Sequence, residues 1–186
     1  LVASGRLSVE EQYLLARLRQ LLGGPVPTWL VARTGEGDGK LLSADRNPNV
    51  RGALLTGLIE GLPEARLEEL AGAIRDGSVR TLLSVGEDPL EAGLEVDLLK
   101  QVTFLYLGTH HRECTQFAAL EMPLLTVFEK SGSFVNQQFR LQRFAQAVPG
   151  PAGVLHGLST FTRLIEQFDP EGAPAPAPAA VWEALS

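Results

Sequence analysis

Short apolar runs alternate with amphipathic stretches along this chain, and the alternation predicts a sheet with helical crossovers. Leu1–Ala3, Thr28–Ala32 (TWLVA), Val79–Val85 (VRTLLSV), Val102–Leu107 (VTFLYL) and Leu124–Phe128 read as extended segments. Continuous apolar runs of this length mark strands covered on both faces. Val9, Tyr13, Leu14, Leu18, Leu21 and Leu22 recur at helical spacing, so 9–22 reads as an amphipathic helix. Ser8 is its N-cap, Glu11 is the capping-box partner, and Gly23-Gly24-Pro25 stops it. Further helices are read from Ala53 to Leu62 with Asn49 as cap, and from Pro63 on the face of Leu67, Leu70, Ala71 and Ile74. Others follow at Glu91–Leu99, Thr115–Leu120 and Val154–Phe168.

This order implies an α/β fold: a doubly wound, mostly parallel, Rossmann-like sheet with helices on both faces. Residues 1–168 read as that domain, and 169–186 as a Pro/Ala-rich linker or tail in which PEGAPAPAPAA (170–180) is extended or disordered. The segment 33–49 is an excursion loop. Its Gly35, Gly37 and Gly39 imitate a dinucleotide fingerprint, but no helix opens at the third glycine.

Composition narrows the function classes. A chain of 186 residues, 45% hydrophobic and 20% charged, suits one well-buried globular domain. The net charge of −6 argues against a nucleic-acid surface, and among the scattered basic residues only Arg140 and Arg143 lie close together beside the 123–142 stretch. Cys114 is the lone cysteine, which excludes an intrachain disulfide and a self-contained iron–sulfur cluster and reads as a small buried side chain. No apolar run approaches the roughly 18 residues that span a bilayer, so no membrane insertion is expected. The start has no signal-like character. Its LVAS opening reads as mid-strand, which suggests a piece of a longer cytoplasmic chain.

Candidate chemistry is sparse. His110 and His111 are adjacent and point different ways, unlike paired metal ligands at helical spacing. His156 reads as a boundary residue. Neither GxSxG nor GxxxxGK[ST] occurs. Glu10-Glu11 and Glu68-Glu69 read as solvated charge on first turns and helix faces. What remains are strand-end loops, Gly86–Asp88, Gly108–Arg112 and Glu129–Gln142, expected to share one sheet edge. Their side chains donate and accept hydrogen bonds, a rim that binds or docks. Leu125→Ala, in a buried strand, is expected to cost roughly 2–5 kcal/mol, and Gln138→Ala, in an exposed loop, no more than about 0.5 kcal/mol.

A family resemblance lies in these loops. Molybdopterin oxidoreductases carry T-A-x-x-A-D-V-V-L-P, then E-x-x-G-T-F-x-N, then G-R-x-Q. Here C114-T-Q-F-A-A-L-E-M-P123 is followed by Glu129, G132-S-F-V-N136 and R140-L-Q142, without gaps from Pro123 to Asn136. G86-E-D-P89 resembles the family's GEDP turn. SVEE together with S43-A-D-R-N-P-N-V-R-G-A53 resembles the branch formed by the large iron–sulfur subunit of NADH-quinone oxidoreductase. The resemblance covers residues 1–168. It implies a scaffold domain without its own cofactor, in a parent whose iron–sulfur clusters lie elsewhere and whose partners are other subunits of a respiratory complex. In a molybdenum enzyme such as a formate dehydrogenase, it would instead make Gly86, Asp88, His110, Asn136 and Arg140 contacts to molybdopterin. A free-standing small-molecule binding domain is the third alternative. The pattern breaks at Ala119, at Leu120-Glu121, and at Phe139, where the family has Gly. A bulky Phe139 would obstruct a close backbone approach.

Overall fold

A computed structural model describes residues 1–62 and 67–186, so the start of the helix read from Pro63 lies outside the described residues. Contacts group the chain into two compact units. The sheet unit comprises Leu1–Gly5, Pro27–Asn47 and the described part of 63–123; the hairpin unit comprises Arg6–Val26, 48–62 and Leu124–Ser186.

The sheet unit holds β1 (Val2–Ser4), β2 (Trp29–Val31), β3 (Thr81–Val85), β4 (Thr103–Gly108) and β5 (Leu120–Pro123) in the order β2-β1-β3-β4-β5. Every pairing is parallel. The protein is an α/β fold. β2 lies on one side of β1 and β3 to β5 on the other, so the gap between β1 and β3 is the switch point where the strand order reverses. Register places Val2, Leu82, Phe104 and Tyr106 on one face, where Leu70 and Ile74 of α3 (Glu68–Arg75) and Leu98 and Leu99 of α4 (Val96–Leu99) close a core with Cys114.

Several predicted elements change form, among them the helix read over Ala53–Leu62, which is observed as Val50–Leu55. The helix read over Glu91–Leu99 shrinks to α4, because Asp88 caps a tight turn and Gly93, at φ 103°, interrupts it. Thr115–Leu120 is a 3-10 turn, Glu113–Phe117, from which the chain passes into β5. The last strand of the sheet is therefore 120–123. Leu124–Phe128, expected as a strand, contributes only an isolated bridge from Leu124 to Leu155. Its two leucines are buried while Phe128 is 66% exposed, because the Glu129 carboxylate folds back onto Thr126 and turns the chain. Leu125→Ala is accordingly expected at the low end, about 2 kcal/mol, against no more than about 0.5 kcal/mol for the exposed Gln138→Ala. Urea titrations give both values.

The hairpin unit holds α1 (Val9–Leu21), α2 (Val50–Leu55), the antiparallel pair β6 (Gly132–Val135) and β7 (Leu141–Phe144), α5 (Gly157–Glu166) and α6 (Pro178–Leu185). α1 carries the predicted capping box, with both reciprocal bonds formed. It packs against α2, α5, α6 and β6. Residues 178–180, expected in the linker, open α6, whose Val181 is fully buried. Pro178 in the first turn suits a helix start. Among the described residues, no helix is long and apolar enough to cross a membrane.

Candidate functional site

At the switch point the chain supplies its own occupant. Ser4, at the end of β1, donates its hydroxyl to Glu87 Oε1 at 2.7 Å. Glu87 follows β3 and is 3% exposed. Arg33, beyond β2, reaches Glu87 Oε2 at 3.4 Å and Glu91 Oε2 at 3.3 Å, and Arg112, beyond β4, reaches Glu91 Oε1 at 2.9 Å. Gly86 makes the turn possible with φ 79°, its N–H bonded to the Leu107 carbonyl at 2.7 Å, while Ser84 donates to the Glu87 carbonyl at 2.6 Å. A cavity of about 280 Å³ opens beside this cluster, lined by Val31, Ala32, Arg33, Glu87, Glu91 and Ala92. A ligand at this crevice would meet a carboxylate already held by a hydroxyl and a guanidinium.

The residues expected to contact a cofactor divide between the units. Gly86, Asp88 and His110 lie in the sheet unit, Asn136 and Arg140 in the hairpin unit. Asp88 is 2% exposed; its Oδ1 accepts the Leu90 N–H at 2.8 Å and its Oδ2 the Cys114 N–H at 3.3 Å. Asn136 Oδ1 accepts two loop amides, those of Gln138 and Arg140, at 2.9 and 3.0 Å. Exposed His110 lies 2.8 Å from the Thr109 hydroxyl, and exposed Arg140 extends from the hairpin turn. The side-chain acceptors of this set, on Asp88 and Asn136, are engaged by backbone amides, which leaves His110 and Arg140 as its exposed side chains. Phe139 adopts φ 57°, the left-handed conformation that glycine takes without strain, and packs under Arg51 at 6.0 Å. Burial raises the Cys114 thiol far above its ordinary range, the state of an inert structural cysteine.

The denser polar cluster lies in the hairpin unit, in residues read from the sequence as solvated. Glu10, Glu11 and Gln12 are all buried, at 1% exposure or less. Lys130 Nζ lies 2.6 and 2.7 Å from the two oxygens of Glu11. Ser133 gives Glu10 both its N–H, at 3.0 Å, and its hydroxyl, at 2.7 Å, and the Trp182 indole adds a bond at 2.9 Å. Gly132 admits this approach: a Cβ there would sit 2.9 Å from Ser8 Cβ. Asn49, expected only to cap α2, makes no cap bond. It donates to the Leu7 carbonyl at 2.7 Å and Gln12 Oε1 at 2.9 Å, and accepts the Val135 N–H at 2.7 Å. The residues Lys130, Gly132 and Ser133 inside the family-like motif thus clamp the first turn of α1. Carboxylates there also complement the helix dipole. The S-V-E-E signature was visible; that its acids face inward was not, because helical periodicity ranks them as polar.

Neither a family model nor a curated protein matches the chain.

His156 caps α5 by accepting the Leu158 N–H on Nδ1 at 3.0 Å. Burial, foremost, lowers its pKa below the ordinary 6.5; Lys130 also lowers it, whereas Glu11 and Glu10 raise it. The unfolded chain therefore takes up this proton at higher pH than the folded one, so stability falls as pH drops below 6.5 toward the folded value. Urea titrations from about pH 8 to about pH 5 should show this slope, and His156→Asn, which keeps a capping oxygen but does not titrate, should reduce it.

Proposed function

We propose that this chain is a scaffold and docking domain of a protein like the large iron–sulfur subunit of NADH-quinone oxidoreductase, in the molybdopterin oxidoreductase superfamily. In that parent, electrons would pass from NADH toward quinone through iron–sulfur clusters outside this segment. The observation that carries the reading is the inward use of the motif: Lys130 and Ser133 bind Glu11 and Glu10, and Asn136 closes its own loop. Side chains engaged in this way hold a fold together. They leave few groups for substrate, and Glu87 takes the crevice where a doubly wound sheet would seat a ligand. The partners of this reading are the remainder of the parent protein and its neighbours in a respiratory complex at the cytoplasmic side of the membrane.

The test is native electrophoresis of solubilised membranes from the source cells, probed with an antibody to this domain. Co-migration with an NADH-oxidising band, without pterin fluorescence from the purified chain, is the expected result. Stoichiometric molybdenum or pterin, or co-migration with formate oxidation instead, would overturn the assignment in favour of a molybdenum enzyme.

A further inference from the structure

The β6–β7 hairpin has one finished edge and one open edge. Its parity is set by Asn136, whose N–H donates to the Arg140 carbonyl at 3.1 Å. Stepping along the antiparallel register, Phe134–Gln142 and Gly132–Phe144 are the hydrogen-bonded pairs. Val135–Leu141 and Ser133–Arg143 are the alternate pairs, whose N–H and C=O groups point away from the hairpin. On β6 those outward amides are capped, Ser133 by Glu10 at 3.0 Å and Val135 by Asn49 at 2.7 Å. On β7, the N–H and C=O of Leu141 and Arg143 have no hydrogen-bond partner among the described residues.

None of the described residues shields that edge from solvent. Residues 137–149 are exposed throughout, except half-buried Phe144. Leu141 is 46% exposed, and its side chain shares a face with that of Arg143, two residues on. Among the described residues, no carboxylate pairs with Arg140 or Arg143. Two free cations therefore flank an open strand edge in a chain whose net charge is −6. An open edge is a template for another strand, and charge on it selects which strand is accepted.

We propose that β7 is the docking edge for an extended acidic segment of a partner protein, added as a third strand. The outward N–H and C=O groups of Leu141 and Arg143 pair with the incoming backbone, which supplies affinity without regard to sequence. Glutamate or aspartate side chains of the segment meet Arg140 and Arg143, and an apolar residue covers Leu141. Like-charged segments are repelled. The proposal rests on the docking reading above for its partner class, while its observations are those of the hairpin alone.

Amide hydrogen exchange of the full chain, read by NMR, tests it with two capped heptapeptides, one alternating glutamate with valine and one alternating lysine with valine. The glutamate peptide should slow exchange at Leu141 and Arg143 by about tenfold or more and leave Ser133 and Val135 unchanged. Leu141→Pro removes one outward N–H without breaking a β6–β7 bond, so the variant should fold and lose this protection. The double variant Arg140→Glu, Arg143→Glu should exchange its preference to the lysine peptide. Equal protection by both peptides, protection by neither, or protection that grows with protein concentration alone would overturn the proposal, the last because a second copy then covers the edge. Loss of this docking while the chain still co-migrates with NADH oxidation would overturn the edge alone; strand addition without that co-migration would overturn the scaffold assignment alone.

Discussion

Lys130→Met is expected to destabilise the folded chain by about 3–5 kcal/mol, the cost of leaving a buried charge without its partner. The ammonium is 6% exposed and the Glu11 carboxylate it binds is fully buried. Glu10 lies on the same turn with Ser133 and Trp182 as its hydrogen-bond donors, so removing Lys130 takes away, among the described residues, the one cation bound to this acidic pair. Methionine keeps most of the volume, which isolates charge from packing. Glu11→Gln in the Lys130→Met background should recover more than half of the loss, since a neutral amide no longer needs a countercharge. A denaturant-based double-mutant cycle measures this coupling. A single variant losing under about 1 kcal/mol would place the pair in solvent rather than in the core.

Asn49→Ala is expected to cost about 3 kcal/mol or more. The substitution strands the Val135 N–H, the Leu7 carbonyl and Gln12 Oε1 in a site with no access to water, and each unmet buried group costs roughly 1–3 kcal/mol. Asn49 itself is fully buried. Because its partners come from β6, the α1 lead-in and α1, the loss should appear as cooperative weakening of the whole hairpin unit. Exchange protection of the Val135 amide should collapse toward that of an exposed position. An Asn49→Ala chain with Val135 still protected would show that another acceptor serves that amide.

Both expectations concern residues brought together from distant parts of the sequence. The acids are near the N-terminus and their partners more than a hundred residues later, with Glu11 and Lys130 separated by 119 positions. Lys130 and Ser133 are turned onto the first turn of α1, and that helix in turn packs against α5 and α6.

Much of the fold was legible along the chain, because strand and helix periodicities are local. The four strands from β1 to β4, the capping box of α1 and the stop at Gly23-Gly24 appear where the pattern puts them. Short elements were less so. Leu124–Phe128 has a strand's composition but not its environment, since Glu129 binds back on Thr126 before a ladder can form. Leu120 reads as the end of a helix and 121–123 as a connection, yet Leu120–Pro123 pairs with β4, because an edge strand needs only one neighbour and little hydrophobicity.

The candidate site was legible only as a set of loops. Gly86 and Asp88 sit at a strand end as read, and their neighbour Glu87 proves to be the side chain that reaches Ser4 and Arg33. Sequence by itself determined the α/β class, the positions of β1 to β4 and the positions of the polar turns, all read from patterns within a few residues or from their alternation. Only the tertiary structure decided that Glu10 and Glu11 are buried, that Lys130 is their counterion, and that β6 is capped while β7 stays open. Burial of a charge depends on which distant partner reaches it, and no local period records that distance.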